Sequence, residues 1–293
     1  ADWRCSSAPL LEQPGAAREG NRGVPAWVPP GSARGQLLWD VSESTDVRLI
    51  AELSRQDPVG YAQVFAGSVP NKRSAYRQFE SIIAALNYNP PRDPFARQID
   101  TNSQWRSGND IGGLSLTIDT ELGSGTLTST TAWYFWDWRP ANDRDFLGLN
   151  ALQKSEAPSD HEQLSQEFRW AGNVSERVDG VVGVYAIKQE LNSDPFHREE
   201  LGPDQWRFVS ANAAAEANLR TPLLFDGFGT NSSPGLETFS AALFGQLDWN
   251  LTDRLSLLTG LRFNYDEKKV DFQRTVSGGA PLATAALLAL RNA

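Results

Sequence analysis

The sequence contains no Met, one Cys and only two His among its 293 residues. Lacking Met and opening on Ala1, it is expected to be a processed chain or a piece of a longer one. Cys5 alone permits no intramolecular disulfide. His161 and His197 have no His, Cys or carboxylate partner at metal-site spacing, so no metal site is expected. No run of about 18 apolar residues exists, which excludes a membrane-crossing helix. It does not exclude a membrane barrel, whose lipid face uses alternate residues only. Positive charge is also scarce. The formal net charge is -9 and no basic stripe occurs, which argues against a nucleic-acid partner. Positions 1–30 lack the basic start and apolar stretch of a signal peptide.

Motifs of enzyme chemistry are missing as well. There is no G-x-S-x-G elbow, Walker loop or H-E-x-x-H, and no cofactor is expected. The Gly-rich run Gly108–Gly113 is not followed by a helix, so it is not read as a phosphate cradle. Glu199 and Glu200 are adjacent in a long connection and read as water-facing charges. The runs Asp143-Arg144-Asp145 and Asp266-Glu267-Lys268-Lys269 read as solvated strand ends.

What is present is alternation. From Phe239 to Trp249, every second residue is apolar or Gly: Phe239, Ala241, Leu243, Gly245, Leu247, Trp249. After the turn Leu251-Thr252-Asp253-Arg254, the pattern returns through Leu255, Leu257, Thr259, Leu261, Phe263 and Tyr265. Period two on both sides of a polar turn is a β-hairpin. Three more hairpins are read the same way: Arg34–Val41 with Asp46–Gln56, Asp110–Asp119 with Gly125–Trp138, and His161–Ala171 with Val178–Glu190. The arms exceed the five or six residues usual in soluble strands and fit the roughly 9–11 that a tilted membrane strand needs.

The connections are unequal. Turns within hairpins are short, but 57–109, 139–160 and 191–236 read as long loops. Short turns at one end and long loops at the other fit an outer-membrane barrel. Ser74–Leu86 and Ala211–Leu219 are expected to carry short helices in those loops. Trp133, Tyr134, Phe135, Trp136 and Trp138 crowd the far end of one arm on both faces, as in a membrane-interface belt or a packed loop base. Residues 1–33, with Pro9, Pro14, Pro25, Pro29 and Pro30, read as an irregular or disordered leader. Residues 34–293 read as a partial barrel.

The runs SQEFRWAGN…VDGVVGVYAIKQE and LFGQLDWNLTDRLSLLTGLRFNYDEKKVDFQR resemble the barrel of TonB-dependent outer-membrane receptors. RGQLLWDVSESTDVRLIAELSRQD is similar to an earlier hairpin of such barrels, and GTLTSTTAWYFWDW to a strand running from Thr/Ser to aromatic residues. The resemblance implies a barrel of about 22 strands around an N-terminal plug. It also implies a bacterial outer-membrane location and contact with outer-membrane lipid. Its partners would be the plug and TonB, and its cargo a scarce ligand such as a ferric siderophore, cobalamin or carbohydrate. Nothing before Arg34 resembles a plug, and APLATAALLALRNA resembles the start of an extracellular loop.

The expected fold is therefore all-β: an antiparallel transmembrane β-barrel segment of about eight long strands in four hairpins. An open curved sheet is expected, not competent for transport alone. A passive porin-type barrel and a soluble β-rich binding module remain alternative readings. On the barrel reading, Arg48, Glu52, Glu167, Arg169, Arg262 and Asp266 face the lumen. Tyr61, Tyr76, Tyr88, Trp105 and Trp206 are the loop aromatics placed to touch a ligand.

Overall fold

Ten strands form a single antiparallel sheet in this computed structural model, which describes residues 31–58, 64–96, 98–193, 197–220 and 224–279, with 285 and 289. In chain order they are β1 Gly31–Ser42, β2 Thr45–Gln56, β3 Arg106–Leu122, β4 Gly125–Ala141, β5 Leu152–Glu156, β6 Ser159–Ser175, β7 Val178–Asn192, β8 His197–Leu201, β9 Phe228–Thr252 and β10 Leu255–Gly278. The helices α1 Phe79–Ala85, α2 Gln205–Val209 and α3 Ala213–Leu219 all lie in connections between strands.

The long strands pair in the order β1-β2-β3-β4-β6-β7-β9-β10, each antiparallel to its neighbours. β1 and β10 pair on one side only, so the sheet is open. The four expected hairpins are present, with strands longer than their alternation suggested. Turns shrink to 43–44, 123–124, 176–177 and 253–254. The ladders run on through polar residues because backbone pairing, not side-chain polarity, closes the last rungs.

Two short strands correct the loop assignment. β5 and β8 fall in 139–160 and 191–236, which were expected to be loops, and pair with each other. They extend the β6–β7 ladder beyond Ala157-Pro158, where Pro158 has no N–H to continue it. The expected helix at Ser74–Leu86 is a 3-10 turn at Ala75–Arg77 followed by α1. α1 ends through Asn87, whose φ of 52° suits a left-handed cap. The second expected helix is α3, preceded by α2, which alternation did not reveal. Residues 1–30 of the expected leader, and most of the C-terminal run from residue 280, lie outside the described residues.

Where β4 meets β6 near the turns, two glycines face each other. A Cβ on Gly125 would stand 2.7 Å from the Gly172 Cα. Gly125→Ala must push the two strands apart, at a cost of ~1–3 kcal/mol. Gly35, on the edge strand β1, has nothing within 4 Å of an added Cβ. Gly125→Ala is expected to lower the unfolding midpoint in detergent, and Gly35→Ala to leave it unchanged. Heat-modifiable gel mobility measures both.

Candidate functional site

Register assigns every strand residue to one of two faces. One cross-strand row runs Trp39, Val47, Ile118, Ser129, Phe168, Val184, Leu243, Phe263. The row beside it in register, on the opposite face, runs Leu38, Arg48, Thr117, Thr130, Glu167, Tyr185, Ala242, Asn264. The first face is apolar and the second largely polar. Arg48, Glu52, Glu167, Arg169, Arg262 and Asp266 all lie on the polar face. There Arg262 lies 5.4 Å from the Phe244 ring and donates to Asn264 at 2.7 Å. Ser240 donates to Asp266 at 2.5 Å.

The apolar face is uncovered. Leu37 is 60%, Leu243 52% and Phe263 63% exposed. Exposed apolar side chains recur from strand to strand across this face, whereas soluble monomers seldom expose a contiguous apolar patch beyond a few hundred Å². Its limits are marked chemically. Trp39, Trp170 and Trp249 stand toward the turns. Trp133, Phe239 and Tyr265 stand toward the loops, with Phe239 and Tyr265 ring centroids 6.4 Å apart. Beyond them on the same face comes a charged row, Glu162, Glu190, Glu237 and Lys269. Trp133 donates its ring N–H to Glu162 at 2.6 Å, joining the aromatic row to the charged one. From Phe239 to Trp249 the strand covers ~33 Å, or ~24 Å of height at a ~45° tilt. The apolar band of an outer-membrane barrel is about 25 Å tall.

Much of the buried apolar packing lies not between sheet layers but among the loops. Ile83 of α1 packs with Leu147, Leu149 and Ala151 from the segment after β4, against Phe65, Phe79, Tyr88 and Phe208. Trp206, Leu219, Leu224 and Phe225 form a second cluster, and Leu86 touches both. The described residues of three connections, 57–105, 142–151 and 202–227, thus pack into one cap at the loop end.

Three of the loop aromatics are cap components. The Arg207 guanidinium lies 3.9 Å over the Tyr76 ring, and the Tyr76 hydroxyl donates to Glu216 at 2.7 Å. Burial raises the Tyr76 pKa, and the Glu216 contact adds to it. Tyr88 donates to Asp100 at 2.9 Å and accepts from the Gly148 N–H at 3.0 Å; burial raises its pKa too. Trp206 is buried, with Arg220 5.1 Å from its ring. Trp105 is half-buried just before β3. Tyr61 lies outside the described residues. The structure brings Tyr76 and Trp206 into one network through Glu216, which also meets Arg220 at 3.5 Å.

A family model described as "TonB dependent receptor-like, beta-barrel" matches residues 39–286. The chain belongs to this family. The solved structure of the ferric yersiniabactin uptake receptor FyuA from Yersinia pestis is similar at 14% identity and a TM-score of 0.44. That similarity covers 84% of this chain and 34% of the FyuA chain. No curated protein matches the chain.

Several charges in this TonB-dependent receptor barrel differ from their sequence reading. Asp143, expected to be solvated, is 0% exposed. Glu199 and Glu200, expected to face water in a loop, are residues of β8 paired with Arg144 and Arg198. His161 is half-buried and stacks on Trp136 with centroids 5.7 Å apart. Arg207 escaped sequence reasoning. It is 2% exposed and donates to the carbonyls of Tyr76 at 2.7 Å and Ser81 at 3.2 Å. A signal for the cap did exist: Leu147, Leu149 and Ala151 alternate just after the Asp143–Asp145 run. No group of three or more His, Cys, Asp or Glu suited to a metal ion occurs among the described residues.

Proposed function

We propose that the chain is part of the wall of an outer-membrane, TonB-dependent importer of a scarce ligand. The observation that carries this reading is the uncovered apolar face, bounded by aromatic and charged rows at the height of an outer-membrane hydrocarbon layer. Family membership supplies the energy coupling. The work is binding and passage, not bond chemistry. In the intact receptor a plug domain and TonB complete the machine, and this piece alone does not transport. Outer-membrane lipid meets the apolar face. Arg48, Glu52, Glu167, Arg169, Arg262 and Asp266 then face the lumen and the plug. A ferric siderophore is the proposed ligand class, with cobalamin and carbohydrate as the other cargoes that the resemblance implies. The loop cap stands at the ligand's entrance. Trp105 and Tyr76 are its proposed contacts, while Tyr88 and Trp206 hold the cap together.

Uptake of labelled ferric siderophore by cells carrying the parent receptor tests the reading. Uptake is expected to vanish both on deletion of the receptor and on loss of TonB. Uptake that persists without TonB would favour a passive barrel. Partition of the chain into buffer, not detergent, would overturn the membrane assignment itself.

A further inference from the structure

We propose that Asp143 and Asp145 share one proton and form a latch that holds the loop cap closed at acid pH and loosens it as pH rises. Asp143 is fully buried. Its Oδ2 accepts the Asn102 N–H at 3.2 Å, and its Oδ1 has no partner. Asp145 accepts the N–H groups of Leu147 and Leu152, each at 3.0 Å. The pair therefore anchors its own loop to the 57–105 connection and to the start of β5. Just after the pair the chain turns sharply: Phe146 has a φ of 56°, and its N–H meets the Asp143 carbonyl at 3.3 Å.

Among the described residues no cation is paired with either carboxylate. Arg144, the intervening residue, is paired with Glu199 of β8, whose carboxylate also lies 4.0 Å from His197. Asp204, from the segment after β8, adds negative charge to Asp145 while accepting the Asn150 N–H at 2.9 Å. Asp100, from the 57–105 connection, is occupied by the Tyr88 hydroxyl. A metal ion fits poorly. Asp143 and Asp145 stand two residues apart in one loop, and no third ligand of metal type joins them among the described residues. A proton between them gives the orphaned oxygen a partner.

Burial, then the charge and hydrogen bond of Asp145, pushes Asp143 up to about 8. Burial raises Asp145 as well. The closed cap thus holds a proton that the opened loop releases at ordinary carboxylate pKa. The closed form is favoured at low pH and loses that advantage as pH rises toward about 8.

The test is hydrogen exchange of Asn102, Leu147 and Leu152 in the full chain in detergent micelles, corrected for intrinsic rates. From pH 5 to 7.5, opening is expected to rise about tenfold per pH unit. D143N, a fixed neutral amide, is expected to flatten that slope while keeping the cap closed. A slope of zero in the native chain, or an equal slope in D143N, overturns the latch. So does protection at pH 6 that a divalent-cation chelator removes. Should D143N fail to assemble, infrared spectra of the native chain with labelled aspartate decide. A protonated carboxyl band at pH 6, lost above pH 8, supports the shared proton, and its absence at pH 6 refutes it. The latch needs no knowledge of the ligand, so its failure leaves the importer reading intact.

Discussion

Leu243→Arg is expected to cost ~2–4 kcal/mol of folding stability in lipid vesicles and to block assembly in cells. Leu243 sits between Val184 and Phe263 in the apolar row and near the middle of the Phe239–Trp249 span of β9. Its side chain is 52% exposed with no protein layer above it among the described residues, and the proposed lipid contact would supply the apolar medium this face needs. An Arg there has no polar group to reach except by bending toward an interface. Gln246, three positions along β9, faces the other way, opposite Val181 and Gly260. Gln246→Arg is expected to change stability by less than about 0.5 kcal/mol, as ordinary surface substitutions do. Urea titration of folding into vesicles measures both. Equal tolerance at the two positions would remove the face assignment, and with it the membrane reading.

Ile83→Ala is the second large effect. Ile83 is 3% exposed at the centre of the cap and touches segments from two separate connections. Truncation removes buried methyl and methylene groups and leaves a cavity that a strand-anchored loop cannot fully close. The cost is ~2–5 kcal/mol, charged to the cap alone. Protease cleavage within 57–105 and 142–151 is therefore expected to accelerate by more than tenfold. Heat-modifiable mobility of the strands should stay native, because the cap core and the sheet are separate bodies of packing. Val69→Ala, at a side chain 83% exposed, is the control and should be silent. Loss of the sheet's mobility shift in Ile83→Ala would show instead that cap and wall fold as one unit.

The sheet was legible because period two is a local code. Leu164, Phe168 and Trp170 share a face whatever surrounds them, and the ladder then aligns them with Lys188, Val184 and Val182. The strand ends were less legible, since backbone pairing continues through polar residues such as Asp271 and Ser277 without a side-chain signature. β5 and β8 were invisible for a different reason. Each is five residues long and gains its order from a neighbour made elsewhere in the chain. The polar-face residues followed directly from register. The cap did not. Its core is assembled from Leu147, Trp206 and Ile83, far apart in sequence and brought together only by the wall beneath. Asp143 misled because a charge run reads as solvated unless one knows what lies over it.

The strands are not of equal reach. β1 and β2 are 12 residues long, β3 and β4 are 17, and β9 and β10 are 25 and 24. Turns align at one end, so the difference accumulates at the other. Among the described residues, the loop-end margin lies about 12 residues, or ~40 Å along the strands, farther from the turns at β10 than at β2. Gly229–Ser232, high on β9, pair with β10 on one side and with β8 on the other, so the tallest strand is not left to hold its own height.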